Sequence, residues 1–388
     1  MENIKALDAQ YIMNTYARFP VQIVSGRGSL ACDDAGREYI DMGTGIGVTA
    51  FGYSDSEWVA AVTAQLGAVQ HTSNLYFTAP GPRLAKLLCE KTGMRKVFFS
   101  NSGAEANECA IKAARKYAAE RRGADCYTII TTKNSFHGRT LTTLAATGQD
   151  HYHELFQPLT PGFVHAEPDD LEDLERLVRE NSVAAIMLEC IQGEGGVRPL
   201  SADFIRGAAA IAAREDILLI IDEVQTGNGR TGEMYSYMNF GIKPDLVTTA
   251  KGIGGGLPLG ACIFGEKVEG IFAPGDHGST FGANPAACAG GCSIVERLTP
   301  ELLQTVREKG EKVRALFRGA KGVEDVTGLG LMIGIKPTKP ASEVVGRCLE
   351  RGVMCLTAKD RVRLLPALNI PEEQLMRAAE IIKAVCAE

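Results

Sequence analysis

With 388 residues, 45% of them hydrophobic and 23% charged, the chain has the composition of a globular protein and the length for two domains around a substantial core. Its net charge of −6, without a basic run, gives no footing for nucleic acid, and no apolar stretch approaches the length needed to span a membrane. Eleven cysteines form no metal-type pairs; even the closest two, Cys288 and Cys292, lack a second pair or clustered histidines, so they read as small buried hydrophobes rather than bridges or metal ligands.

Met1 to Asp8 shows no basic segment followed by an apolar one, so no secretory signal is expected and the chain is expected to stay in the cytosol. Val21–Val24 and Glu38–Asp41 read as short strands joined by Asp33-Asp34-Ala35-Gly36. From about residue 57, short β-branched runs alternate with helical patterns, the mark of an α/β protein with a mainly parallel central sheet flanked by helices. The predicted strands are Val97–Ser100, Tyr127–Thr132, Ala184–Cys190, Ile217–Asp222, Leu246–Thr249 and Ala261–Gly265. Between the first two, Ala106, Cys109, Ala110, Ala113, Ala114, Tyr117 and Ala118 recur at helical spacing, which predicts a helix laying a small-residue face on that sheet. After about residue 287 the helical stretches Glu301–Phe317, Ala341–Arg351 and Glu372–Ala387 alternate with short strands such as Val362–Leu365. The chain thus divides into a large domain, residues 57–286, and a smaller α+β domain built from both ends, residues 1–56 and 287–388.

Chemistry concentrates where predicted strands end, the usual place for ligands in such sheets. Ser102-Gly103-Ala104 opens the alanine-rich helix, where free N–H groups and the helix dipole suit a phosphate; a plain turn capped by Ser102 is the alternative. Phe136 offers a flat face to an aromatic cofactor and Arg139 a two-pronged donor to a carboxylate, while His137 reads as structural. Asp222 closes the most apolar strand, where a buried carboxylate needs a partner such as a protonated pyridine nitrogen, or a basic side chain of the protein. Gln225 is placed to hydrogen-bond the ring's phenolic oxygen. Lys251 stands between an apolar strand and the glycines Gly252 to Gly256; partial desolvation there lowers its pKa and frees its amine to form a Schiff base, most naturally with pyridoxal phosphate. Ser279 and Thr280 set two hydroxyls among glycines, suited to an anion or to a simple turn.

Taken together, Ser100-Asn101-Ser102-Gly103-Ala104-Glu105-Ala106-Asn107-Glu108, Phe136-His137-Gly138-Arg139, Gln192-Gly193-Glu194-Gly195-Gly196-Val197, Asp222-Glu223-Val224-Gln225-Thr226-Gly227, Lys251 with its glycines, and Gly278-Ser279-Thr280-Phe281-Gly282 resemble the class III pyridoxal-phosphate aminotransferases of fold type I. The resemblance runs from about Met13 to the C-terminus. It implies that Ser102, Gly103, Ala104, Phe136, Asp222, Gln225 and Lys251 hold the cofactor and that Lys251 shuttles the proton between substrate and cofactor. Thr280 would reach the cofactor phosphate of a neighbouring subunit, which implies a homodimer with composite sites, and Ser279 would lie near the substrate. Arg139 would take the distal carboxylate of either substrate and Arg363 the proximal carboxylate of glutamate or 2-oxoglutarate. Glu194 would cover Arg363 when a terminal amine is bound, since an arginine left unpaired beside a methylene chain is costly.

The substrates so implied are N2-acetylornithine and 2-oxoglutarate. Succinylornithine, free ornithine and 4-aminobutyrate are alternative donors; an aminomutase or decarboxylase on the same fold and a non-catalytic regulator are alternative functions. Where ornithine-specific relatives carry a tyrosine this chain has Ile46, which suits an acetamide better than an ammonium. Two departures from the family pattern stand out: Glu189-Cys190 in place of Glu-Pro, and Tyr53-Ser54-Asp55 in place of a histidine-rich turn.

Overall fold

A computed structural model describes residues 3–388; Met1 and Glu2, part of the stretch read for a leader, lie outside the described residues. The central sheet has seven strands in the order Lys96–Ser100, Gly260–Phe264, Leu246–Thr249, Leu218–Asp222, Val183–Leu188, Thr128–Thr132, Phe163–Ala166. Only Gly260–Phe264 runs against its neighbours, and the strands from Leu246–Thr249 to the Phe163–Ala166 edge pair in parallel. Val183–Leu188, Leu218–Asp222 and Leu246–Thr249 are buried at every position, as expected of strands covered by helices on both faces. On one face the Gly103–Arg122 helix buries Ala106, Cys109, Ala110, Ala113, Ala114, Tyr117 and Ala118, the small side chains letting its backbone lie close to the sheet. On the other, Ala202–Arg214 buries Phe204, Ile205, Ala208 and Ile211.

The two chain ends meet in one sheet. Ile23–Arg27, Leu30–Asp33 and Glu38–Asp41 form antiparallel neighbours, and Val353–Met354 joins Glu38–Asp41 in parallel. The Asp33–Gly36 turn therefore follows a strand that the sequence pattern did not reveal, because Leu-Ala-Cys-Asp carries no β-branched residue. A second small sheet orders Val323–Leu329, Met332–Pro337, Arg361–Leu364 and Leu356–Ala358, backed by the helices Pro300–Phe317 and Ala341–Glu350, against which Glu372–Ala387 packs in turn. The Pro285–Glu296 helix runs across the expected 286/287 division and packs on Ser56–Ala68 and Pro80–Thr92. Among the described residues no helix is long and apolar enough to cross a membrane.

Candidate active site

A cavity of about 620 Å³ opens at the carboxyl ends of the parallel strands; Ser102, Gly103, Ala104, Phe136, Arg139, Asp222, Gln225 and Lys251 all line it. Residues separated by up to 149 positions in sequence thus converge because successive strand ends face one mouth.

Ser102 ends the extended run after Lys96–Ser100 and caps the next helix, its Oγ accepting from the Glu105 N–H (3.2 Å). Gly103 cannot bear a side chain without cost: a Cβ there would stand 2.7 Å from the Val224 methyl. The first turn of the helix is thereby pressed against the loop after Asp222 and lies at the cavity wall, and an anion is the group such an end attracts.

Asp222 is 4% exposed. Its Oδ2 accepts from His137 Nδ1 and Asn107 Nδ2, both at 2.8 Å, and its Oδ1 accepts from the Val224 N–H at 3.0 Å. Those donors hold the carboxylate rigid at the cavity wall, and because a carboxylate only accepts, His137 carries its proton on Nδ1. Asn107, four positions after Gly103 and so on the same helix face, was not singled out as a site residue.

Across the cavity, the Leu246–Thr249 strand is fastened by Asn228, whose Nδ2 donates to Thr249 Oγ1 (2.9 Å) and to the Ala250 carbonyl (3.1 Å). Lys251 follows at φ 49°, a backbone conformation uncommon outside glycine and found at functional sites. Burial lowers its pKa and the Arg363 charge adds to the fall, while Glu194, Asp222 and Glu189 oppose it.

Glu194 and Arg363 form an ion pair, Nη1 to Oε1 at 2.6 Å, with the Arg363 side chain 3% and Glu194 26% exposed. Gln225 closes a triangle with them, its Oε1 accepting from Arg363 Nη1 (3.0 Å) and its Nε2 donating to Glu194 Oε1 (3.2 Å). Burial pushes the Glu194 pKa up, but the charge and hydrogen bond of Arg363 win and hold it below the ordinary value. Arg139 is exposed at the other side, its guanidinium 5.5 Å from the Phe136 ring centre and 5.0 Å from that of Tyr152.

Ser279 and Thr280 do not line this cavity. Ser279 Oγ accepts from Asn101 Nδ2 (3.3 Å) and from the Gly282 N–H (2.9 Å), and Thr280 is exposed. Ile46 lines a separate apolar cavity of about 330 Å³ with Phe19, Val21 and Leu349, and Val48 is the residue of that loop that faces the Lys251 cavity; a donor preference argued from Ile46 has no contact here to act through. Tyr16 and Glu189 also line the site. Tyr16 was not a sequence candidate for it, and Glu189 entered the sequence reading only through the Glu189-Cys190 departure.

Residues 11–386 match the model of one family, aminotransferase class-III. The chain belongs to that family. It is 48% identical to an acetylornithine aminotransferase of Haemophilus ducreyi, over 100% of this chain and 99% of that one, and 42% identical to an acetylornithine aminotransferase of Caldanaerobacter subterraneus, over 98% of each. Among solved structures it superposes with a TM-score of 0.95 on the ornithine aminotransferase of Toxoplasma gondii, at 30% identity over 100% of this chain and 95% of that one. It superposes with a TM-score of 0.85 on the N-acetylornithine aminotransferase of Stenotrophomonas maltophilia, at 34% identity over 98% of each. This class-III aminotransferase uses pyridoxal phosphate, and the cavity suits it chemically: helix N–H groups for a phosphate, a rigid buried carboxylate for a pyridine nitrogen, and an amine of lowered pKa.

Proposed function

We propose that this aminotransferase moves the terminal amino group of N2-acetylornithine to 2-oxoglutarate, giving N-acetylglutamate 5-semialdehyde and glutamate, a cytoplasmic step of arginine synthesis. The observation that carries the reading is the buried Arg363 already covered by Glu194 at 2.6 Å, behind Gln225, which bonds both and lines the cavity that a second arginine, Arg139, also lines. Two carboxylate receptors of which one is silenced are what a donor with a terminal amine and a remote carboxylate requires. Relatives named for acetylornithine at 48% and 42% identity support the same donor.

In this reading Ser102, Gly103 and Ala104 would hold the cofactor phosphate, with Phe136 and Gln225 as further groups for its ring. Bound, pyridoxal phosphate supplies a carbonyl carbon that condenses with an amine and a ring that accepts the electron pair released when a substrate C–H bond breaks. Asp222 keeps the ring nitrogen protonated, and its three donors prevent it from turning away. Lys251 Nζ would take up and give back the proton exchanged at the substrate carbon, a role that needs an uncharged amine and is eased by burial. Glu194 stays on Arg363 for the terminal-amine donor and leaves it when 2-oxoglutarate or glutamate brings a carboxylate of its own. Arg139 takes the far carboxylate in both cases.

Thr280 and Ser279 fit a homodimer with composite sites. Their loop is tied by Asn74 Nδ2 to the carbonyls of Ser279 (3.0 Å) and Gly282 (2.8 Å), which gathers the exposed Leu75, Tyr76, Phe77 and Phe281 into one apolar region suited to a second copy.

The deciding experiment titrates the purified holoenzyme with N2-acetylornithine, N2-succinylornithine, ornithine and 4-aminobutyrate while following the absorbance of the bound cofactor. The proposal expects N2-acetylornithine to convert the cofactor at the lowest concentration and 2-oxoglutarate to reverse the change. Conversion by none of the four, or a clear preference for free ornithine, would overturn it.

A further inference from the structure

We propose that Glu189 is a positioning residue that fixes the spacing between the two loops that handle substrate carboxylates, and so sets the chain length of the donor. The proposal rests on the roles given above to Arg139 and Glu194.

Glu189 directly follows the Val183–Leu188 strand and is 5% exposed. Its two oxygens reach different loops. Oε2 accepts from the Phe136 N–H at 2.9 Å, three residues before Arg139, and Oε1 accepts from the Gly193 N–H at 3.2 Å, one residue before Glu194. Both donors are backbone groups, so the bonds set where each loop runs rather than how one side chain turns. Gly193 is also held from its other side, where the Gln225 Oε1 would stand 2.5 Å from any Cβ. The loop is therefore pinned between an amide and a carboxylate.

Only glutamate fits this task. Glutamine has one accepting oxygen and would turn an NH2 toward the second N–H; aspartate is one methylene short of reaching both loops. Burial and the nearby Asp222 charge oppose ionisation of this carboxyl, and His137 favours it. A second tie lies closer to the sheet, where Gln192 Nε2 donates to the Lys133 carbonyl (2.7 Å) and to Thr132 Oγ1 (3.0 Å). Removing Glu189 therefore frees the loop tips while their bases stay joined.

A donor must place its carboxylate at Arg139 and its terminal amine at Lys251 together. With the tips fixed, one methylene more or less breaks that match; with them free, the loops accommodate it.

The test compares wild-type and Glu189→Gln holoenzymes on N2-acetyl-2,4-diaminobutyrate, N2-acetylornithine and N2-acetyllysine, after equal cofactor content and thermal unfolding have been verified. Binding of the unreactive dicarboxylates glutarate, adipate and pimelate, read from the shift in cofactor absorbance, gives a measure independent of turnover. Preference for N2-acetylornithine over its longer and shorter analogues is expected to shrink about tenfold, through KM rather than kcat, as for the loss of one hydrogen bond to a charged group. The dicarboxylate series should flatten alongside. Glu189→Asp, which keeps the charge but reaches one loop, should behave alike and stands in if the glutamine variant does not load cofactor. An unchanged length preference in either variant, or KM changes equal for all three donors, overturns the proposal. Arg139→Ala separates the two levels: raised KM there with no effect of Glu189→Gln rejects the strap alone, whereas unchanged KM there rejects the carboxylate reading as well.

Discussion

Buried Arg363 makes its ion pair inside the protein, where removing one partner leaves a stranded charge; such losses cost about 3–5 kcal/mol when the remaining group stays buried. The two half-reactions feel that loss differently, because glutamate brings its own carboxylate and a terminal amine does not. Glu194→Ala is therefore expected to slow the N2-acetylornithine half-reaction at least about tenfold more than the glutamate half-reaction, as measured by single-turnover cofactor absorbance; equal factors would reject the switch. Glu189 carries a second residue-scale consequence. Burial, with Asp222 adding and His137 opposing, pushes its pKa from an ordinary 4.5 to about 7, so the folded state holds this proton more tightly than the unfolded one. The associated stability is complete below pH 4.5 and is lost as the pH rises through about 7. Urea unfolding of cofactor-free wild type and Glu189→Gln at fixed protein concentration should show the wild type losing stability relative to the variant across that window. A constant difference would mean that the buried carboxyl is already charged at the lower end.

Close approach of elements, rather than any one side chain, builds the phosphate end of the cavity. The helix beginning at Gly103 meets Val224 at a distance that leaves no room for a methyl, and valine cannot rotate clear because both its branches are fixed at Cβ. Gly103→Ala should weaken pyridoxal phosphate binding and lower stability by about 1–3 kcal/mol, the usual cost of overpacking. Val224→Ala in the same chain should recover much of both, read by equilibrium dialysis of the cofactor and by thermal unfolding; no recovery would place the fault in the helix turn itself. This scale also separates what the sequence reveals from what it hides. The runs Ile217 to Ile221 and Leu246 to Thr249 announce buried strands because apolar and β-branched residues have little other use in such density. The edge strand Phe163–Ala166, with three of its four positions only partly buried, and the reversed direction of Gly260–Phe264 leave no such mark. Lys251, Asp222 and Arg139 declare themselves by type and place. The Asp222 partners His137 and Asn107, 85 and 115 residues away, and the two backbone donors of Glu189 do not, since an N–H group is present at almost every position and only the fold selects which one is used.

At the level of the whole molecule, the exposed apolar residues around Thr280 argue for association. On the proposed homodimer, Phe281→Asp, adjacent to Thr280 and 60% surface-accessible, should shift the protein toward monomer in sedimentation and lower its affinity for pyridoxal phosphate, because in that proposal Thr280 serves a partner's site. A dimer that persists with full affinity would move the interface elsewhere. The small sheets bear on function through one further connection. Arg363 lies in the Arg361–Leu364 strand, paired with Met332–Pro337, whereas Gln225 follows the central strand Leu218–Asp222 and Glu194 sits in the turn of the small hairpin Ile191–Gln192 and Arg198–Pro199 that comes after the central strand Val183–Leu188. The triangle of Arg363, Glu194 and Gln225 is thus also a clasp between the small terminal sheet and the loops beyond the central strands. On the proposed exchange, 2-oxoglutarate displaces Glu194 and its own carboxylate takes that place on Arg363, so in one half-reaction the two parts of the molecule are joined by a side chain and in the other by the molecule about to be changed.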